Sequence, residues 1–222
     1  MTVDAVLFDI DGTLLDYERT PADLLPLAFE AAGVDPFFEA ADYQARYGEF
    51  ADESEDVRDL RERCFAAIAR DAGRDPETGR AVARAYAAER DHSRVELLPG
   101  ARETLDALEE RYRLAAVTNG APGMQGQKLD AVGLGERFET VVHAGYDTAA
   151  KPASEPFEVA LAAVETTPDR AAYVGDSLSS DVAGANRAGL RSVWFAPDGG
   201  DPEPQPHHRV ASLRALTNEP WR

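Results

Sequence analysis

The chain of 222 residues contains a single cysteine, Cys64. No intrachain disulfide and no thiolate metal cluster can form from it. Beside Phe65 and Ala66 in a helical pattern, the thiol reads as a small buried hydrophobe. Lysine is nearly as scarce, because Lys128 and Lys151 are the only two among 23 basic residues and the other 21 are arginine. Positive charge as a whole is short: 41 acidic residues leave a net charge of −18, which repels phosphate backbones and argues against nucleic acid as a partner. No apolar run approaches the roughly 18 residues of a membrane span, and the amino terminus enters a strand pattern with neither a basic nor a cleavable apolar segment before it. These absences lead us to expect a soluble, cytoplasmic protein without a membrane partner. High acidity with little lysine resembles the composition of proteins from salt-loving organisms, where screening over about 3 Å at molar salt tolerates self-repulsion. An acidic mesophilic protein fits the same composition.

Hydrophobic residues at 44% and charged residues at 29% are globular proportions, and the length suits one α/β domain with a smaller insert. Strand-length apolar runs recur at Ala5–Phe8, Leu114–Val117, Thr140–Val142, Ala171–Val174 and Ser192–Phe195. Short runs bounded by turns and separated by helical patterns predict a doubly wound, Rossmann-like parallel sheet covered on both faces. About 100 residues part the first two runs, where a βαβ crossover needs a few tens. The excess, residues 17–97, carries helical patterns through Leu24, Ala28, Leu60, Cys64, Ile68, Val82 and Ala85, and no strand-like run. We read it as an inserted α-helical cap domain, with residues 1–16 and 98–222 forming the core domain. Pro197–Pro206 is a surface loop by its Pro, Gly and Asp content, and Val210–Leu216 a last short strand edge and helix.

Chemistry gathers where these strands end. The first runs into Asp9-Ile10-Asp11-Gly12-Thr13-Leu14, and strand alternation puts Asp9 and Asp11 on one side. Ligands of open α/β sheets bind beyond the carboxyl ends of the strands, and two carboxylates so close need a cation or a shared proton. Gly12 permits a tight turn that brings backbone N–H groups toward an anion. Taken alone, Asp-x-Asp-Gly reads equally well as an Asp-rich turn. However, Thr118-Asn119-Gly120 follows the second run, Lys151-Pro152 the third, and Gly175-Asp176-Ser177 with Asp181 the fourth. A surface turn explains one such group and not four at successive strand ends.

These four elements, in this order, resemble the signature motifs of the haloacid dehalogenase-like hydrolase superfamily. So do the connecting segments Leu98–Leu105, Gln127-Lys128-Leu129, Pro156-Phe157 and Gly175–Gly189, and the resemblance covers residue 3 to about 196. It implies that Asp9 attacks a phosphoryl group to form an aspartyl-phosphate. Asp11 would protonate the leaving oxygen and then deprotonate the hydrolytic water. Mg2+, a hard cation preferring oxygen, would be held by Asp9, the backbone carbonyl of Asp11, and Asp176, with Asp181 orienting its waters. Thr118 through its hydroxyl, Asn119 through its backbone, and Gly120 would bind the phosphate, and Lys151 would offset the negative charge around Asp9.

The implied function is a magnesium-dependent phosphatase acting on a small phosphorylated metabolite, as a monomer or homodimer. Asp11 and the Asp176/Asp181 pair disfavour a dehalogenase, which needs neither an acid–base residue there nor a metal. A phosphomutase stays open, as does a non-catalytic phosphoryl-binding protein; a receiver module lacks the long insert. His92, His143, His207 and His208 have no metal-ligand spacing, and the last two read as solvated loop residues. Trp194 reads as core, and Asp52–Asp56 as a solvated helix start capped by Ser54 or a neighbouring acid. Arg46, Tyr47 and Arg58 are candidate substrate contacts in the insert, each of which also reads as a solvated helix residue.

If the acidity is an adaptation to salt, the thermal midpoint rises by several degrees from low to molar KCl. A midpoint that stays flat or falls across that range, followed by circular dichroism, would remove the inference.

Overall fold

Six strands build one parallel sheet in the order β5-β4-β1-β6-β7-β8. They are β1 (Ala5–Phe8), β4 (Arg113–Thr118), β5 (Thr140–His143), β6 (Ala171–Gly175), β7 (Arg191–Phe195) and β8 (His208–Val210). Connections run outward from β1 through β4 to β5, then return to β6 on its other side and continue outward. The strand order therefore reverses at β1, where open α/β sheets form their ligand crevice. The computed structural model describes residues 2–50, 54 and 57–221. The expected acidic helix start lies outside these residues except for Ser54, whose hydroxyl donates to the Phe50 carbonyl.

Strand alternation sorts the apolar side chains into two layers. Val6, Phe8, Leu114, Ala116, Val174 and Val193 pack with Leu105 and Leu108 of α5 (Ala101–Glu109). Ala5, Leu7, Ala115, Val117 and Tyr173 face the other way, against Phe157 and Leu161 of α7 (Glu155–Ala163). Both faces are covered, which is why β1 reads as an unbroken apolar run and is buried throughout. No helix among the described residues is long and apolar enough to cross a membrane.

The chain divides into two compact units, Met1–Tyr17 with His92–Arg222, and Glu18–Asp91. The first also contains an antiparallel pair, β2 (Leu15–Tyr17) with β3 (Val95–Leu97). β3 lies within the stretch read from sequence as helical and free of strands. Three residues with a glutamate at the centre make too short a pattern to signal a strand, and pairing with β2 supplies what local sequence does not.

The second unit is helical: α1 (Pro21–Ala32), α2 (Ala40–Phe50), α3 (Val57–Asp71) and α4 (Pro76–Glu89). A reciprocal capping box between Thr20 and Asp23 starts α1, and Gly33 in the left-handed region ends it. Its core is aromatic, with Phe65 meeting Phe38, Tyr43 and Tyr86 edge-on. Cys64 is buried there, as expected. Arg46 pairs with Glu49 and Asp71, and Arg58 with Glu62, so both are engaged on helix surfaces of this unit.

Phe65 is fully buried, and truncating such a ring leaves a cavity that its neighbours fill only in part. Phe65→Ala is expected to cost about 3–5 kcal/mol in urea unfolding. A loss below about 1 kcal/mol would mean that this aromatic cluster does not organise the helical unit.

Candidate active site

The site sits at the carboxyl ends of the three central strands. Asp9 follows β1, Thr118 ends β4, and Asp176 follows β6. The turn after β1 brings Gly12 against Asp176: its φ of +73° is left-handed, and a Cβ there would lie 2.7 Å from Asp176 Oδ2. Glycine is thus required twice, for its backbone angle and for the close approach. Thr13, fully buried, donates its hydroxyl to Asp176 Oδ1 at 3.3 Å. The indole N–H of Trp194 donates to the Asp176 carbonyl at 2.8 Å, so the expected core tryptophan also anchors this loop.

After Ser177 the chain makes one π-helical turn, Leu178–Val182, a geometry that recurs at functional sites. It turns Asp181 inward, where Oδ2 accepts the Ser177 N–H at 3.0 Å. Ligand oxygens of Asp9, Asp176 and Asp181 lie within 4.8 Å of one another. Three hard oxygen donors in that space fit a divalent cation such as Mg2+. The Asp11 side chain is not in this group; the atom that the family resemblance assigns to the metal is its backbone carbonyl.

Lys151 reaches into the cluster from the loop before α7. Its ammonium donates to Asp9 Oδ1 at 2.7 Å and Asp181 Oδ1 at 2.6 Å, with the Tyr173 hydroxyl at 2.8 Å and the Val117 carbonyl at 2.9 Å. Burial alone would depress the ammonium, but Asp9 and Asp181 outweigh it and the net direction is upward. The Tyr173 hydroxyl is held protonated by burial and by the nearby carboxylates, so it can donate to Val117 or Asp181. The Asp9 carboxyl is pushed up to about 7: burial raises it most, Lys151 pulls it back, and Asp181 raises it again. Asp176 rises to about 6 through burial and Asp181, opposed by its own backbone and by Thr13.

The Thr118 loop is tied to its neighbours by side-chain hydrogen bonds. The Asn119 side chain clasps the Lys151 backbone, accepting its N–H at 2.9 Å and donating to its carbonyl at 3.2 Å. It thereby positions a neighbouring loop, whereas the donor that the family resemblance assigns to the phosphate is the Asn119 backbone. The Gly120 N–H donates to Thr118 Oγ1 at 3.0 Å. Gln125 Nε2 donates to that same oxygen at 3.0 Å. With both lone pairs engaged, the Thr118 hydroxyl is left to act as a donor.

Sequence reasoning passed over Gln125 and gave Lys128 no role. Both lie on α6 (Pro122–Ala131), and both contact Asp11. Scarcity was the available signal, since one of only two lysines falls three residues after a glutamine on the same helix. His207, read as solvated, is tied to Ser192 through its ring and its backbone.

Carboxyls raised above their unfolded value near 4 make the folded chain hold protons more tightly between about pH 4 and 7. The stability they contribute is fully present below pH 4 and is lost as pH rises through 6 and 7. In EDTA, Asp176→Asn should melt level with wild type below pH 4 and measurably above it at pH 7.5, the difference growing between pH 4 and 6. A difference independent of pH would show that Asp176 is not strained in the metal-free cluster.

The comparisons with known proteins agree with this geometry. A family model described as haloacid dehalogenase-like hydrolase matches residues 3–189. The phosphoserine phosphatase of Thermus thermophilus is 40% identical over 162 residues, which is 71% of this chain and 64% of that protein; the match thus spans less than two thirds of this relative's length. The 5-amino-6-(5-phospho-D-ribitylamino)uracil phosphatase YigB of Escherichia coli is 29% identical over 233 residues, covering 97% of this chain and 95% of that one. In fold, the chain is similar to the HAD-hydrolase YfnB of Bacillus subtilis bound to magnesium, with a TM-score of 0.80 over the whole of both chains at 24% identity. With the four strand-end motifs joined in one site and the family model spanning most of its length, the chain belongs to the haloacid dehalogenase-like hydrolase family.

Proposed function

We propose that the protein is a magnesium-dependent phosphatase of small phosphorylated metabolites, working through an aspartyl-phosphate on Asp9. The observation that carries this reading is the pairing of Asp9 with Lys151 beside Asp176 and Asp181, while Asp11 stands apart from that cluster with separate partners. Asp9 is held by Lys151 among the metal-ligand oxygens; Asp11, two residues on, lies outside that group and is held by Lys128 and Gln125. Different surroundings support different work for the two, as nucleophile and as proton carrier.

An oxygen of Asp9 attacks phosphorus as the ester P–O bond breaks, and the leaving alkoxide takes its proton from Asp11. Water then gives a proton back to Asp11 and attacks phosphorus, breaking the bond to Asp9 and releasing inorganic phosphate. Thr118 donates its hydroxyl to a phosphoryl oxygen. Lys151 holds Asp9 Oδ1 and places positive charge beside the transferring group. Asp9, Asp176 and the Asp11 carbonyl would hold Mg2+, which when bound supplies charge neutralisation at the phosphoryl oxygens. Asp181 has both carboxylate oxygens committed to Lys151, Tyr173 and Ser177, which supports a role in orienting the metal's waters over direct ligation.

The test is phosphate release from a panel of phosphomonoesters with magnesium or EDTA. The expected results are release that requires magnesium, a roughly thousandfold or greater loss in Asp9→Asn, and a loss in Asp11→Asn that is deeper on alkyl esters than on p-nitrophenyl phosphate. The latter has a good leaving group that needs little proton donation. An Asp9→Asn protein keeping a tenth of wild-type turnover would remove the nucleophile assignment.

A further inference from the structure

Asp11 is held by two buried side chains that the reaction as written does not use. Lys128 and Gln125 stand three residues apart on α6 and so share a face. The Lys128 side chain is 2% exposed, yet its ammonium reaches out to Asp11 Oδ1 at 2.5 Å, a carboxylate 40% exposed. Gln125 is fully buried and donates from Nε2 to Asp11 Oδ2 at 2.6 Å and to Thr118 Oγ1 at 3.0 Å. The face of Tyr17 covers the ammonium, 4.3 Å from its ring centre, and the Tyr17 hydroxyl is bound to His92 Nδ1 at 2.7 Å.

A buried ammonium is costly unless it is paired, and a buried ion pair made only for stability would have both partners inside. Here the carboxylate is the exposed member. Each of its oxygens has its own donor, so the carboxyl can rotate only by giving up two charge-assisted hydrogen bonds. Gln125 spends both N–H bonds at once, one on Asp11 and one on Thr118, and thereby sets the distance between the proton carrier and the phosphoryl-binding hydroxyl. The backbone makes room for this link: a Cβ at Gly120 would stand 2.0 Å from Gln125 Nε2. The tether thus requires a glycine at the third position of Thr118-Asn119-Gly120.

We propose that Lys128 and Gln125 are positioning residues that lock the Asp11 carboxyl in the orientation for proton transfer, Gln125 in register with Thr118. The inference rests on the phosphatase reading above. Asp11 must deliver a proton to the leaving oxygen and take one from water at nearly the same point in space. An exposed, untethered carboxyl would spread over several rotamers and lose that alignment.

The test compares Lys128→Met and Gln125→Met with wild type in saturating magnesium, on p-nitrophenyl phosphate and on the alkyl phosphomonoester that wild type hydrolyses fastest. The readout is the ratio of kcat/KM on the two esters within one preparation, which cancels any difference in folded fraction. Both variants are expected to lower the alkyl-to-aryl ratio by about tenfold or more, in the direction expected of Asp11→Asn. Equal losses on both esters would mean that the pair is merely structural and would overturn the proposal. A gain on the alkyl ester would also overturn it, because Lys128 would then be holding Asp11 away from its task. If wild type hydrolyses no ester while remaining folded, the phosphatase reading falls and this inference falls with it; an active wild type with an unchanged ratio in both variants removes the inference alone.

Discussion

The ammonium of Lys151, buried between Asp9 and Asp181, is the contact on which the site depends. Three carboxylates with oxygens within 4.8 Å of one another repel, most of all the buried Asp9 and Asp181. Lys151 meets the problem with near-complete hydrogen bonding: two carboxylates, a hydroxyl and a carbonyl surround one Nζ. A buried ion pair is tolerable under that condition, and removing one partner typically costs about 3–5 kcal/mol because the other charge is stranded. Asp9 and Asp176 still sit above their usual range. The residual strain is what a divalent cation would relieve.

The sheet makes this concentration of charge possible. Asp9, Thr118 and Asp176 come from the ends of β1, β4 and β6, adjacent strands whose spacing is set by the parallel ladder. Loops then make cross-links: Asn119 clasps the Lys151 backbone, Thr13 and Trp194 hold Asp176, and Gln125 ties Thr118 to Asp11. Both lysines of the chain end up here, each buried and each on a carboxylate. Arginine supplies the exposed ion pairs, such as those of Arg46 and Arg58. An ammonium is a compact charge that fits between converging oxygens, whereas the planar guanidinium fork needs room on one side.

Much of this was legible in the chain. The apolar runs before Asp9, Thr118 and Asp176 announced buried parallel strands, and the same motifs named the carboxylates, the hydroxyl and the lysine that meet at the sheet edge. The strand Val95–Leu97 was not legible, because a three-residue strand has no pattern of its own and exists through its partner. Gln125 was equally silent: a glutamine on a helix is most often solvated, and only the fold brings it under the Thr118 loop.

The sequence by itself determined the fold class, the family and the identity of the strand-end residues, because hydrophobic period and short motifs are local properties of the chain. Only the tertiary structure decided which donor meets which acceptor. It joined the Asn119 side chain to the Lys151 backbone and the Gly120 N–H to Thr118. It also brought Lys128, 117 positions from Asp11 in the chain, to that carboxylate. Hydrogen bonds act over about 3 Å, a distance that depends on how helices and strands pack and that no local pattern of residues records.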